Sequence, residues 1–487
     1  MAHSSETLNI LSSFFHSSMT LENRFQSLKD IFLWFDSIKK GERFEVNEIP
    51  FDQMDQWFFT ENAEKLVHKS GKFFRIEGLK IKTNFGDVGE WEQPIINQPE
   101  IGILGILTKV FDGTRYFLMQ AKMEPGNVNI LQLSPTVQAT KSNFSRVHKG
   151  KIPTYLEYFI DSSKSKVLID QLQTEQGGRF LKKRNRNIVI EVLDNIEILP
   201  DFRWLTLCEI KELLKIDNFV NMDARSVIST IPLIDDAIIS QLEANPCTKN
   251  SFITPIGEDI LNSIIDNTKP YKTIDEIISW YTSQKVKYEI TTETLPLSAL
   301  KRWKITDYNI YNNERFFSVI AVKVSAGTRE VSSWTQPLLK DFNIGLLGFV
   351  LKKINGVLHF LVQAKVEPGN IDCIELCPTI SCSNFEYVKK SQDKPPFFEY
   401  FDGTKKQADV IYDVLQSEEG GRFYQLQNRN MLVVINDSEQ PELPSNYTWM
   451  TLNRIMTFMR FEFFNIEARS LISSINFNLE STKKQDL

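Results

Sequence analysis

Residues Gln120–Asn143 read QAKMEPGNVNILQLSPTVQATKSN, and residues Gln363–Asn384 read QAKVEPGNIDCIELCPTISCSN. Seven of the first eight residues agree, the exception being Met123 against Val366, and the second copy starts 243 residues after the first in a chain of 487. Lys122, Glu124, Pro125, Gly126 and Asn127 are charged or turn-forming, so the match is not the convergence of two apolar strands. The chain reads as two copies of one unit organised around this element.

Working outward, Gly102–Val110 and Arg115–Ala121 are apolar runs split by Asp112-Gly113, a two-residue hairpin signal. Gly345–Leu351 and Val357–Ala364 repeat it around Asn355-Gly356. The QAK element therefore ends a central strand, Glu-Pro-Gly-Asn is the turn after it, and Val128–Leu133 is the next strand, with alternating faces. Upstream, Trp91-Glu-Gln-Pro94 matches Trp334-Thr-Gln-Pro337, and Phe25, Leu28, Ile31, Phe32 and Phe35 keep helical spacing. Downstream, Lys164–Gln176 reads as an amphipathic helix stopped by Gly177-Gly178. The stretch QTEQGGRF from Gln173 returns as QSEEGGRF from Gln416. Strands are expected at Ile188–Val192 and Met431–Ile435, each after Asn-Arg-Asn. Each half closes on Trp-x-Thr-Leu (Trp204, Trp449) and Ala-Arg-Ser-x-Ile-Ser (Ala224, Ala468).

A repeat of this length is a duplicated domain, since solenoid units run at about 20–50 residues. The expected fold is α/β (α+β), a tandem duplication of a module with a mixed central sheet. The modules are residues 1–240 and 241–487, with the joint in Pro232–Thr254, where polar turn residues gather.

Apolar residues at 42% and charged residues at 24% fit a soluble globular chain. A net charge of −6 argues against nucleic acid as the main partner, which requires a basic face. The five cysteines (Cys208, Cys247, Cys373, Cys377, Cys382) form no C-x-x-C pair and are odd in number, which fits a reducing cytoplasm without a disulfide framework. No Cys/His set has structural-zinc spacing, and neither a signal peptide nor a membrane span is read.

No phosphate loop, dinucleotide fingerprint or nucleophile elbow is present. Tyr281 and Lys285 match a Tyr-x-x-x-Lys pattern, but without the glycine loop they read as a helix surface. The Glu-Pro-Gly-Asn turn needs Gly126 for its shape but not the Lys122–Glu124 pair beside it. That pair either holds the hairpin together or forms a polar floor where an acid or base is aimed. Arg179, Arg186 and Arg225 are matched by Arg422, Arg429 and Arg469, giving either duplicated ion pairs or two anion sites whose guanidinium forks suit a diphosphate. Arg146, His148 and Tyr155 of the first copy face Tyr387, Lys389 and Phe397 of the second, a surplus of proton-carrying groups in one copy.

The stretches LMQAKMEPGN, LQLSPTVQATKSNF, YLEYF, QGGRF and NMDARSVIS resemble the sugar-nucleotide 2,3-dehydratases of bacterial deoxysugar pathways over nearly the whole chain. The resemblance implies that each half is a Nudix-type module without hydrolase chemistry, in keeping with the lack of a Nudix box in either copy. It also implies a homodimer, no metal or redox cofactor, and a thymidine-diphosphate 4-keto-6-deoxyhexose (dTDP-4-keto-6-deoxyhexose) as substrate. A separate 3-ketoreductase would take up the product. Such chemistry needs a base at C3, donors to the C4 oxyanion and an acid for the leaving hydroxyl. The candidates are Glu124 or His148 as base, Tyr155 as acid, and Lys122 with Asn127 as oxyanion donors. Candidate substrate contacts in the first copy are Gln120, Ser142, Asn143, Arg146, Arg179 and Arg225. Those in the second are Gln363, Lys365, Glu367, Asn370, Arg422 and Arg469. A silent sugar-nucleotide binding protein and a sugar-nucleotide epimerase or isomerase are the alternatives.

Overall fold

The computed structural model describes residues 5–140, 153–233, 253–265, 270–312, 317–327, 332–341 and 343–481. Asp112 and Gly113 take positive φ (48° and 83°), as do Asn355 and Gly356 (54° and 83°). This is the backbone that a two-residue hairpin turn needs to match the strand twist. The turns join Gly102–Phe111 to Thr114–Met123 and Gly345–Ile354 to Val357–Lys365.

The first hairpin is closed only near its turn, from Leu107 opposite Leu118 to Phe111 opposite Thr114. Beyond that the strands part. Gln120–Met123 pairs with Leu131–Ser134, and Ile103–Gly105 pairs with Val137–Ala139. Thr136 sits in the fork, its Oγ1 accepting from Leu107 N at 2.9 Å and donating to Leu118 O. Thr379 bridges Val350 N and Leu361 O in the same way. The Pro-Thr of the repeated stretch thus splays the hairpin and opens the end of the central strand that carries Lys122.

Each half has a seven-stranded mixed sheet. In the first, the order is Lys166–Thr174, Arg184–Glu191, Gly102–Phe111, Thr114–Met123 and Phe202–Leu205, with the two fork strands added. Arg184–Glu191 runs parallel to the hairpin strand beside it. Lys166–Thr174 is a strand, which corrects the helix expected over Lys164–Gln176. Leu168 and Leu172 have helical spacing, but β-branched Val167 and Ile169 suit an edge strand. Asp170 and Arg186 clasp across the pair with two hydrogen bonds of 2.7 Å. The strand expected from Val128 begins only at Leu131, because the preceding turn extends to Ile130, which has a positive φ of 68°.

The halves interlock. Phe44–Ile49 of the first pairs antiparallel with Ser318–Ala326 of the second, and Ile290–Leu295 of the second pairs with Arg75–Thr83 of the first. One hydrophobic core contains Phe117, Leu133 and Ile228 together with Phe360, Leu376 and Ile472. Helices Met222–Ser229 and Ile466–Ser473, capped by Asn221 and Asn465, exchange equivalent contacts. Arg225 Nε donates to Ser470 Oγ at 2.9 Å, and Arg469 Nε donates to Ser226 Oγ at 3.3 Å. Such reciprocity is the mark of a two-fold relation, here within one chain.

Helix Ser5–Met19 docks through Ser17, which donates to Arg115 O and accepts from Leu207 N. Helix Pro255–Ile265 docks through Ser263, joined to Leu358 O and Leu452 N in the same way. The boundary expected at residue 240 lies outside the described residues. Among the described residues no helix is long and apolar enough to cross a membrane.

Candidate active site

The turn after Met123 closes on itself. Glu124 N donates to Ile130 O at 3.1 Å, Asn127 N to Glu124 O at 3.2 Å, and Asn127 Nδ2 to Ile130 O at 3.0 Å. Its tip docks on the other half: Gly126 N donates to Gly420 O at 2.8 Å, and Gly126 O accepts from Gln425 N at 2.7 Å. A Cβ on Gly126 would lie 1.6 Å from Phe423 O, so only glycine fits. Gly369 repeats these contacts with Gly177, Lys182 and Phe180. The Gly-Gly-Arg loop of each half therefore closes over the Glu-Pro-Gly-Asn turn of the other, and two composite clusters form.

In the first cluster Lys122 Nζ lies 3.1 Å from Glu124 Oε1 and donates to Gln138 Oε1 at 2.8 Å. Gln138 Nε2 donates to Asp223 Oδ2 and, at 3.4 Å, to Glu124 Oε1. Asp223 lies in the first turn of Met222–Ser229, and Glu419 arrives from the other half beside Gly420. Burial, then the negative charges of Glu419, Glu175 and Glu124, push the Asp223 carboxyl well above the usual range. Burial also raises Glu419, opposed by Arg422.

In the second cluster Lys365 Nζ lies 2.9 Å from Glu367 Oε1 and donates to Ser381 Oγ at 3.3 Å. Ser381 donates to Glu467 Oε2 at 2.8 Å, and Gln176 Nε2 faces Glu467 Oε1 at 3.5 Å. Burial works against the Lys365 charge, but Glu367 and Glu467 outweigh it and hold the amine above the ordinary lysine range. Where the first cluster has Gln138, Asp223 and Glu419, the second has Ser381, Glu467 and Gln176.

Arg225 and Arg469 sit in the contact between the two halves. They are 1% and 0% exposed, and both hold backbone across the module contact. Arg225 donates to Val220 O, Ser417 O and Gln416 Oε1, and Arg469 to Phe464 O and Thr174 O. Arg186 and Arg429 are paired with Asp170 and Asp413.

Arg179 lies within electrostatic range of Glu367 and Glu467, and Arg422 within range of Glu419. Their guanidinium carbons lie 4.1 Å over the Phe317 ring and 4.2 Å over the Phe74 ring, each ring belonging to the opposite half. Gln120 Nε2 donates to Asp201 Oδ2 at 2.8 Å, and Gln363 sits between Cys377 and Tyr447 in the sheet. Asn127 is 1% exposed with its amide donating within its own turn, and Asn370 N donates to Glu367 O at 3.2 Å in the matching turn.

Tyr155 does not join the Lys122 cluster. Its hydroxyl donates to Glu197 O at 2.7 Å and accepts from Leu199 N at 3.2 Å, and its ring meets Phe202 edge-on at 4.9 Å. Ser142, Asn143, Arg146 and His148 lie outside the described residues.

Sequence reasoning missed Gln138, Asp223 and Glu419, together with Ser381 and Glu467. A signal existed: both copies read Asn-x-(Asp/Glu)-Ala-Arg-Ser, keeping an acid two residues before the matched arginine. Among the described residues no group of three or more His, Cys, Asp or Glu side chains could hold a metal ion.

Comparison with known proteins matches this duplicated layout. The family model for NDP-hexose 2,3-dehydratase matches residues 28–231 and again 274–475. A dTDP-4-dehydro-6-deoxy-alpha-D-glucopyranose 2,3-dehydratase of Saccharopolyspora spinosa is 44% identical over 436 residues, covering 89% of this chain and 88% of the relative. Proteins of the same description from Amycolatopsis orientalis and Streptomyces violaceoruber are 37% and 38% identical, covering 94% and 91% of this chain and 92% and 95% of the relatives. The chain belongs to the NDP-hexose 2,3-dehydratase family.

Proposed function

We infer that this chain is a hydro-lyase that removes water across C2 and C3 of a dTDP-4-keto-6-deoxyhexose. One observation carries the reading: relatives of that activity, 37–44% identical, match nearly the whole chain. The Lys122–Glu124 pair, enclosed by both halves, supplies groups suited to the reaction.

The C4 ketone acidifies the C3 proton. Glu124 takes it, and Lys122, steadied by Gln138, stabilises the oxyanion that develops at C4. Expulsion of the C2 hydroxyl as water leaves an enol, which tautomerises to a 3,4-diketone. The reaction is redox-neutral, so no hydride carrier takes part. A 3-ketoreductase is the proposed consumer of the diketone. Arg422, held over Phe74, is a candidate for the diphosphate. Ser142, Asn143, Arg146 and His148 remain candidates on sequence grounds alone.

Each half is proposed to be a Nudix-type module, supported by its mixed sheet. A cytoplasmic homodimer is proposed from the family resemblance and the free thiols of Cys208, Cys373, Cys377 and Cys382.

The test is incubation with dTDP-4-keto-6-deoxyglucose and a 3-ketoreductase, followed by mass measurement. Loss of one water is the expected result. A product of unchanged mass formed from the sugar would make the protein an isomerase, and an untouched substrate would make it a binding protein.

A further inference from the structure

We propose that Glu419, delivered from the second half of the chain, forms with Asp223 of the first a carboxyl pair that protonates the departing C2 hydroxyl. The inference rests on the dehydratase reading and adds a residue that the first half cannot supply.

The placement follows from the module contact. The hydrogen bonds between Gly126 and the loop at Gly420 and Gln425 fix residue 419 against the Glu-Pro-Gly-Asn turn. The matching side chain of the other copy, Gln176, turns its Nε2 toward Glu467 Oε1 at 3.5 Å, and Glu467 is the counterpart of Asp223. At the same position in the first cluster, the amide is replaced by a carboxyl.

Asp223 also takes a hydrogen bond from Gln138, whose amide oxygen receives Lys122 and whose nitrogen reaches Glu124. The pair is therefore joined through one amide to the proposed base and oxyanion donor. The charged groups acting on the pair are Glu124, Glu175, Lys122, Lys183 and Arg422.

Placed as Gln176 and Glu467 are in the matching cluster, two carboxyls in a buried site cannot both ionise cheaply, so they retain a proton between them. The raised Asp223 carboxyl agrees with that arrangement. In the second cluster an amide faces Glu467, and an amide does not act as a proton donor of carboxylic strength.

The step balances. Glu124 receives the C3 proton, and the C–H electron pair forms the enolate. The enolate then forms the C2–C3 double bond as the C2–O bond breaks, and the carboxyl pair gives its proton to the leaving oxygen. The pair regains a proton from Glu124 or solvent before the next turnover.

The full-length protein is tested with dTDP-4-keto-6-deoxyglucose in D2O. Deuterium entry at C3 reports proton abstraction, and the 3-ketoreductase-trapped product reports water loss. Glu419→Gln should exchange C3 within about threefold of wild type while water loss falls at least about a hundredfold. A parallel fall in both rates would mark Glu419 as structural and overturn the proposal, as would no fall in either. Asp223→Asn should show the same split, so the proposal stays testable if Glu419→Gln does not fold. Failure of the wild type itself to lose water would refute the dehydratase reading instead.

Discussion

Replacing Gly126 by alanine tests whether the site needs both halves. The new Cβ would lie 1.6 Å from Phe423 O and 2.7 Å from Gly420 O, both backbone atoms, so the loop must move. That movement breaks the 2.8 Å and 2.7 Å hydrogen bonds to Gly420 and from Gln425. A buried polar group left unpaired costs about 1–3 kcal/mol, and part of that loss is recovered from solvent at the gap. For two bonds the expected destabilisation is about 3 kcal/mol. It is read as the unfolding free energy from urea titration, alongside turnover of the folded protein. Gly369→Ala meets the same 1.6 Å clash with Phe180 O and should destabilise equally. Only Gly126→Ala should depress water loss by more than about tenfold, because only it displaces Glu419 from Asp223. A Gly126→Ala protein within about 0.5 kcal/mol of wild type, the range of neutral surface changes, would refute the interlocked contact.

Arg225→Met should destabilise the protein by about 3–5 kcal/mol, as expected for breaking a buried charged network, while leaving thymidine diphosphate affinity within twofold of wild type; calorimetry showing a large loss of affinity would mark Arg225 as an anion site. Activity should survive EDTA, and a loss reversed by a divalent ion would contradict the Lys122-based stabilisation of the enolate. Stability should fall as pH rises from about 5 to 7. Burial raises Glu175 and Glu209 to about 7, and Glu375 and Glu418 to about 8, so the folded chain holds protons there that the unfolded chain releases. Lys211, lowered to about 7 by burial, acts in the opposite sense only above that pH. A thermal midpoint that rises between pH 5 and 7 would contradict this.

The hairpins were legible because Asp112-Gly113 and Asn355-Gly356 leave the backbone little choice. The Glu-Pro-Gly-Asn turn was legible because it recurs with its lysine. Lys166–Thr174 misled because Leu168 and Leu172 carry a helical spacing that an edge strand also tolerates, and pairing with Arg184–Glu191 decides the outcome. The arginines were ambiguous for a different reason. A guanidinium that binds carbonyls and one that binds phosphate are the same residue in a sequence, and the carbonyls of Ser417 and Thr174 come from the other half. The exchange of Phe44–Ile49 and Ile290–Leu295 was invisible because a strand's sequence does not state which copy it joins. Glu419 was hidden by the same crossing, sitting in one copy and acting in the other.

The most direct measurement is the rate of water loss by Glu124→Gln and Glu367→Gln, made on proteins with matching circular dichroism. The two residues hold equivalent places beside Lys122 and Lys365. Glu124→Gln should lose at least about a hundredfold in turnover, the contribution of a positioned base. Glu367→Gln should retain most of its activity. Abolished turnover in Glu367→Gln with an active Glu124→Gln would move the reaction to the second cluster and contradict the account.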